Sequence, residues 1–144
     1  MNFDHAWIES RIPHKGSMCL LDAVVHWDDA AIVCRAISHR DPINPLRREE
    51  GLGPTAGIEY AAQAMAVHGA LLDKEAEGAR VGYLTSTRDV IWHEQRLDTI
   101  VGDLTVRAER ESANAGNVLY QFQLLDGERV LLSGRATVML NAAA

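Results

Sequence analysis

One segment restricts the possible folds more than any other. Gly53–Leu72, GPTAGIEYAAQAMAVHGALL, carries small or apolar residues at almost every helical position and one acidic residue, Glu59. Helical spacing puts Ile58, Ala62, Met65, Gly69 and Leu72 on one stripe and Tyr60, Ala64, Val67 and Leu71 on a second, with Ala61 and Ala66 between them. A helix that is apolar nearly all round is a buried one, so the rest of the chain has to surround it. The Gly and Ala residues at 56, 57, 61, 62, 64, 66, 69 and 70 would let a sheet approach its backbone closely. The stretch nears membrane-spanning length, but Glu59, Gln63 and His68 interrupt it, which rules against a transmembrane reading.

The surrounding material reads as β. Met18–Trp27 and Ala31–Ser38 are rich in β-branched and apolar residues, and DDA between them can turn the chain into a hairpin. The segment between Ser38 and Pro54 holds Pro42, Pro45, Gly51 and Gly53 and reads as a loop. After the helix, DKEAEG is charged and ends at Gly78, which suits an exposed last turn and a glycine stop. Four strand-like runs follow: Val81–His93, Thr99–Ser112, Asn117–Leu125 and Glu128–Leu140. NAGN and the two-residue hairpin signal Asp126-Gly127 lie between them. In VLYQFQLL, Val118, Tyr120, Phe122 and Leu124 form a clean apolar face that needs a cover, and only one long helix can provide it. The expectation is an α+β fold, an antiparallel sheet wrapped around one long central helix, forming one domain over residues 1–144.

The chain has 144 residues, 47% hydrophobic and 24% charged, with a formal net charge of −6 and no basic run, which argues against a nucleic-acid surface. The opening, MNFDHAWIESRIPHKG, is broken by Asp4, Glu9, Arg11 and Lys15 and lacks the apolar run of a secretory signal, so a cytoplasmic protein is expected. Cys19 and Cys34 read as packed thiols, since neither sits in a metal-binding spacing and a cytoplasmic setting disfavours a disulfide. No cofactor or metal is called for.

Glu59 falls within the first turns of the helix, behind the start signal of Pro54 and Thr55. An exposed Glu59 would only complement the helix dipole, worth about 0.3–1 kcal/mol. Its helical neighbours, however, are Ala62, Gln63 and Ala66, which leave space for a pocket and offer one amide to hold the carboxylate. A partly buried carboxylate beside a pocket is a candidate acid or base. His14, in the loop RIPHKG, is either its partner or an ordinary exposed residue. His5, His26, His39, His68 and His93 read as structural, and no two are spaced as metal ligands. Arg47-Arg48-Glu49-Glu50 reads as a solvated loop, although its basic pair could touch an acidic carrier.

Pro13-His14, Leu20-Leu21-Asp22 and Glu59-Tyr60-Ala61-Ala62-Gln63, in that order along nearly the whole chain, resemble the hot-dog-fold 3-hydroxyacyl-(acyl carrier protein) dehydratases. The resemblance is greatest to the branch found in aryl polyene and related gene clusters. It implies a dimer, homomeric or with a related hot-dog subunit, that removes water from a 3-hydroxyacyl thioester on acyl carrier protein. It also implies that Glu59 helps the C3 hydroxyl leave, and that backbone N–H groups near Ala56 and Gly57 polarise the thioester. Gln63 is expected at the substrate site. Two departures stand out. The histidine that such enzymes carry in a His-Phe-Pro segment before the carboxylate is missing, and Pro54, without an N–H, replaces a glycine amide. His14 is expected to serve as the catalytic base; the alternatives are that His39 reaches across the loop or that the subunit supports a catalytic partner. Hydrolysis of the thioester is the alternative chemistry for such a fold.

Overall fold

The computed structural model describes residues 3–72, 82–114 and 116–140. A short helix, α1 (His5–Arg11), and a 3-10 turn (Gly16–Met18) lead into β1 (Ala23–Trp27) and β2 (Ala31–Ala36). A second 3-10 turn (Ser38–Arg40) and a loop precede the long helix α2 (Ala56–Leu72). The remaining strands are β3 (Gly82–Trp92), β4 (Leu104–Asn114), β5 (Asn117–Asp126) and β6 (Arg129–Leu140). All six strands form one antiparallel sheet in the order β1-β2-β4-β5-β6-β3.

The alternation in β5 works as expected. Val118, Tyr120, Phe122 and Leu124 are buried, alongside Ile32, Cys34 and Ala36 of β2 and Leu104, Val106 and Ala108 of β4. Helix α2 adds Tyr60, Ala61, Ala64, Met65, Val67 and Leu71 to this core. Each large side chain removed from water there contributes about 1.5–3 kcal/mol. Gly57 shows why a small residue is needed where helix meets sheet, because a Cβ there would lie 2.5 Å from Leu132 Cδ2. The helix is not buried all round, however. Ile58, Glu59, Ala62, Ala66 and Gly69 are only half-buried, and nothing lies within 4 Å of a Cβ placed on Gly69. The sheet packs closely against one side of the helix only, and Ala62 and Ala66 on another side border a cleft.

Other boundaries moved for identifiable reasons. Helix α1 was not expected; the Asp4 carboxylate caps it by accepting from Trp7 N at 3.0 Å, and Ile8 and Ile12 bury its inner side. Strand β1 begins at Ala23 rather than Met18, because residues 16–20 are bent into a turn and held by a side chain of α2. The strand expected from Thr99 starts at Leu104. In the last hairpin Asp126 still pairs with Arg129, so the two turn residues are Gly127 and Glu128; Gly127, with φ 62, takes the first position as in a type II′ turn. The charged DKEAEG with its Gly78 stop, and Ala115 within NAGN, lie outside the described residues. The two ends of the sheet differ: Phe3 and Asp4 lie along β1, whereas among the described residues the outer edge of β3 pairs with nothing.

Two histidines expected to be structural are so. His39 Nε2–H donates to Ile100 O and Gly102 O at 3.1 and 2.9 Å. His68 Nε2–H donates to Asp28 O at 2.7 Å, which leaves its Nδ1 to accept from the Tyr120 hydroxyl at 2.7 Å. Burial pushes the pKa of both rings down. Above the unfolded value of about 6.5 both states are neutral and the folded chain keeps its full advantage. As pH falls below that value, the unfolded chain takes up protons that the folded rings refuse, and stability is lost. Urea unfolding between pH 5 and 7.5 should therefore show stability rising with pH, by at most about 1.4 kcal/mol per pH unit for each histidine. A flat profile would contradict two buried neutral rings.

Candidate active site

Glu59 lies one turn inside α2, and the start of that helix is held from outside. The Arg96 guanidinium beside Asp98 keeps that carboxyl well below the usual carboxylate range. Asp98 Oδ1 also accepts from Leu52 N at 2.9 Å, and Leu97 N donates to Leu52 O at 2.8 Å. Gly51 fits this clasp only as glycine: its φ is 108, and a Cβ would meet Arg96 Nε at 2.7 Å. The approach to the helix is thus tied at Gly51 and Leu52, four to five residues before its first turn.

His14 arrives from the other direction, on the loop that follows α1. Gln63, one turn beyond Glu59 on α2 and fully buried, accepts from Leu20 N at 2.9 Å and donates to Met18 O at 2.7 Å, which ties the segment after His14 against the helix. The result brings His14 Nε2 to 3.0 Å from Glu59 Oε1, with the two side chains 28% and 35% exposed. His14 Nδ1 is buried and has no partner among the described residues, and Nε2 is the nitrogen that faces the carboxylate and the space beside it. That space is a cleft of about 220 Å³ walled by Pro13, Ala62, Ala66, Leu84 and Val138, apolar apart from the pair itself. A second cavity, about 520 Å³, reaches Glu59 from the start of the helix and includes Arg48, Thr55 and Ala56. A larger cavity of about 630 Å³, between residues 16–22 and 37–44, contains neither member of the pair.

The structure therefore brings His14 and Glu59 together and sorts the other candidates. Gln63 does not hold Glu59 or face the cleft, because both ends of its amide are engaged by backbone. The N–H groups of Ala56 and Gly57 are not free: they donate to Gly53 O and Pro54 O at 3.2 and 2.9 Å. Gly57 faces Leu132 and Leu124, whereas Ala56 borders the second cavity. His39 is turned toward Ile100 and Gly102 and is no partner for Glu59. Arg47 is not simply solvated, since it reaches Asp98 at 3.4 Å. Cys19 and Cys34 are free and buried, their thiols pushed up to about 11 and about 12 by desolvation. Among the described residues no three His, Cys, Asp or Glu side chains are arranged to hold a metal ion, and no helix is long and apolar enough to cross a membrane. Sequence reasoning missed Leu84 and Val138, because strand alternation assigns a residue to a face but not to a neighbour across the fold.

A curled antiparallel sheet on one long helix, with a histidine and a carboxylate at an apolar cleft, defines the class of hot-dog-fold enzymes. The model of the ApeP-like family, described as ApeP dehydratase, matches residues 6–144, and the chain belongs to that family; it is a dehydratase-type enzyme. Among solved structures it is similar to the dehydratase heterocomplex ApeI:P from Xenorhabdus doucetiae, with a TM-score of 0.80 and 22% identity over 94% of this chain and 91% of that one. It is also similar to a mutant of a thioesterase from Staphylococcus aureus (TM-score 0.60, 17% identity, 82% and 91% of the chains). A hypothetical thioesterase protein with coenzyme A from Streptococcus pneumoniae gives 0.56 at 12% identity over 82% and 84%. At these identities the likeness is one of fold. Among curated proteins none matches the chain.

The role found for Gln63 is open to a direct check. Gln63→Leu would leave Leu20 N and Met18 O buried without partners, and should cost about 1–3 kcal/mol in urea unfolding. A variant as stable as the parent would show that the loop is held by other means.

Proposed function

We propose that the protein dehydrates a 3-hydroxyacyl thioester carried on acyl carrier protein, with His14 as the base and Glu59 as the acid. The reading rests on one observation, the 3.0 Å approach of His14 Nε2 to Glu59 Oε1 at the wall of an apolar cleft. The acyl chain lies over Ala62 and Ala66, and its C2–C3 bond sits beside the pair. His14 Nε2 takes the proton from C2, and the electrons of that C–H bond form the C2–C3 double bond. The C3–O bond breaks, and the protonated carboxyl of Glu59 gives its proton to the departing hydroxyl, which leaves as water. The proton now on His14 then crosses to Glu59 and resets the site. One proton shared by the pair is enough for the cycle, and the inward-facing Nδ1 takes no part. Pull on the thioester carbonyl comes from the positive end of α2 rather than from free Ala56 or Gly57 amides.

The chain acts as one domain within a pair of hot-dog subunits, either two copies or one copy with a related partner. The support is the edge of β3, unpaired among the described residues, where Leu84, Ile91 and Trp92 are exposed, since an apolar edge strand is a template for pairing. Leu84 also walls the cleft, so a partner along β3 would lie beside the reacting pair. The similar Xenorhabdus doucetiae structure is a heterocomplex, which favours a related partner over a second copy. Two buried free thiols accord with a reducing, cytoplasmic setting.

Purified protein, alone and mixed with a hot-dog partner, should convert a 3-hydroxyacyl thioester to the enoyl product. His14→Ala and Glu59→Gln should each lower the rate by about 10²–10⁴-fold with an unchanged fold, and the double variant should lose little more than either. Release of free thiol without enoyl product would assign hydrolysis instead. Leu84→Lys should shift the species seen by light scattering toward monomer; an unchanged mass would remove β3 from the interface.

A further inference from the structure

His14 lies on a loop, and a loop histidine is a poor catalyst unless something fixes it to within about 0.5 Å. Gln63 secures the chain only downstream, at residues 18 and 20. Upstream, the Glu9 carboxylate on α1 reaches across the turn and accepts from Gly16 N at 2.6 Å, so that its side chain spans the loop containing His14. Lys15 works in the opposite sense. Its ammonium donates to Ile12 O at 3.0 Å and to Glu9 O, the carbonyls left without helical partners at the end of α1, where a cation is favoured. The packing of α1 itself is carried by Ile8 and Ile12, which are fully buried. Between these two points Pro13 has no N–H, and Gly16 stands at φ 59 with open space around it.

Resting on the reading of His14 and Glu59 above, we propose that Glu9 is a positioning residue: it holds the loop so that the imidazole meets Glu59, with Lys15 as the second half of the clamp. Lys15 and Gly16 are exposed and Glu9 is half-buried, so the clamp lies at the surface beside the core rather than in it. What it restricts is the aim of one side chain, and an error of about 1 Å in that aim costs about a hundredfold in rate.

The test compares Glu9→Ala with Glu9→Gln, which keeps an oxygen able to accept from Gly16 N–H. Glu9→Ala should lower kcat by about ten- to a hundredfold with KM within about twofold and little change in Tm, and Glu9→Gln should recover most of the rate. A second readout needs no turnover. The ring ¹⁵N resonances of His14 should shift on Glu59→Gln in the parent and in the Glu9→Gln background, and should not respond in the Glu9→Ala background. If Glu9→Ala fails to fold, Lys15→Met should show the same loss of rate and of NMR response. Parent-like kcat and a full NMR response in Glu9→Ala would overturn the proposal, as would a Glu9→Gln variant as impaired as Glu9→Ala. Full activity in His14→Ala would instead overturn the assignment of the pair, while the NMR comparison would still report on the clamp.

Discussion

The arrangement at the cleft depends on one buried amide. Gln63 sits on α2 with no exposure to water, and a buried amide without partners is costly, so its two hydrogen bonds to Met18 O and Leu20 N hold strongly. Those bonds bend residues 16–20 away from the sheet and lay the N-terminal arm along the helix. They are the downstream tie of the loop that carries His14 to Glu59. The same bonds explain why β1 starts late, since a segment whose backbone is engaged by a helix side chain cannot also pair along a strand.

The helix serves two environments at once. Gly57, Ala61 and Ala64 face the sheet, and Gly57 allows Leu124 and Leu132 to come close. One turn around, Glu59, Ala62 and Ala66 leave a strip open to the cleft, which Leu84 and Val138 of the sheet border on one side and Pro13 and His14 on the other. Small residues thus do opposite jobs on the two sides: close packing on one, room for a substrate on the other. The carboxylate is tolerable in this setting because it is a third exposed and lies next to an imidazole rather than in the core.

Polar groups elsewhere in the core serve to join segments. His39 ties the turn after β2 to the loop before β4, and His68 links α2 to β5 and to the β1–β2 turn. Asn44 donates to the Tyr60 hydroxyl and to Ser38 O, binding the long loop to the helix. These bonds fix the segments on either side of α2, and burial of the two histidines makes that part of the fold sensitive to acid.

Much of this was legible in the residues. The period of Gly53–Leu72 required a buried helix, the alternation in Val118–Leu125 required a covered sheet, and a lone carboxylate among alanines marked the place where chemistry was to be expected. The short helix α1 escaped notice because its apolar face consists of little more than Ile8 and Ile12, too few to establish a period. The surroundings of Gln63 and Gly57 were out of reach for a related reason: spacing says which residues share a helix face, but not which of them a distant strand or loop will engage. The choice between His14 and His39 was beyond sequence altogether. By itself the sequence determined the long helix, most of the strands and the apolar face of β5, and it singled out Glu59, because these follow from local periodicity and the cost of burying charge. The meeting of His14 with Glu59, the open strip on α2 and the wall supplied by Leu84 and Val138 were decided only by tertiary structure, because they depend on contacts between segments far apart in the chain.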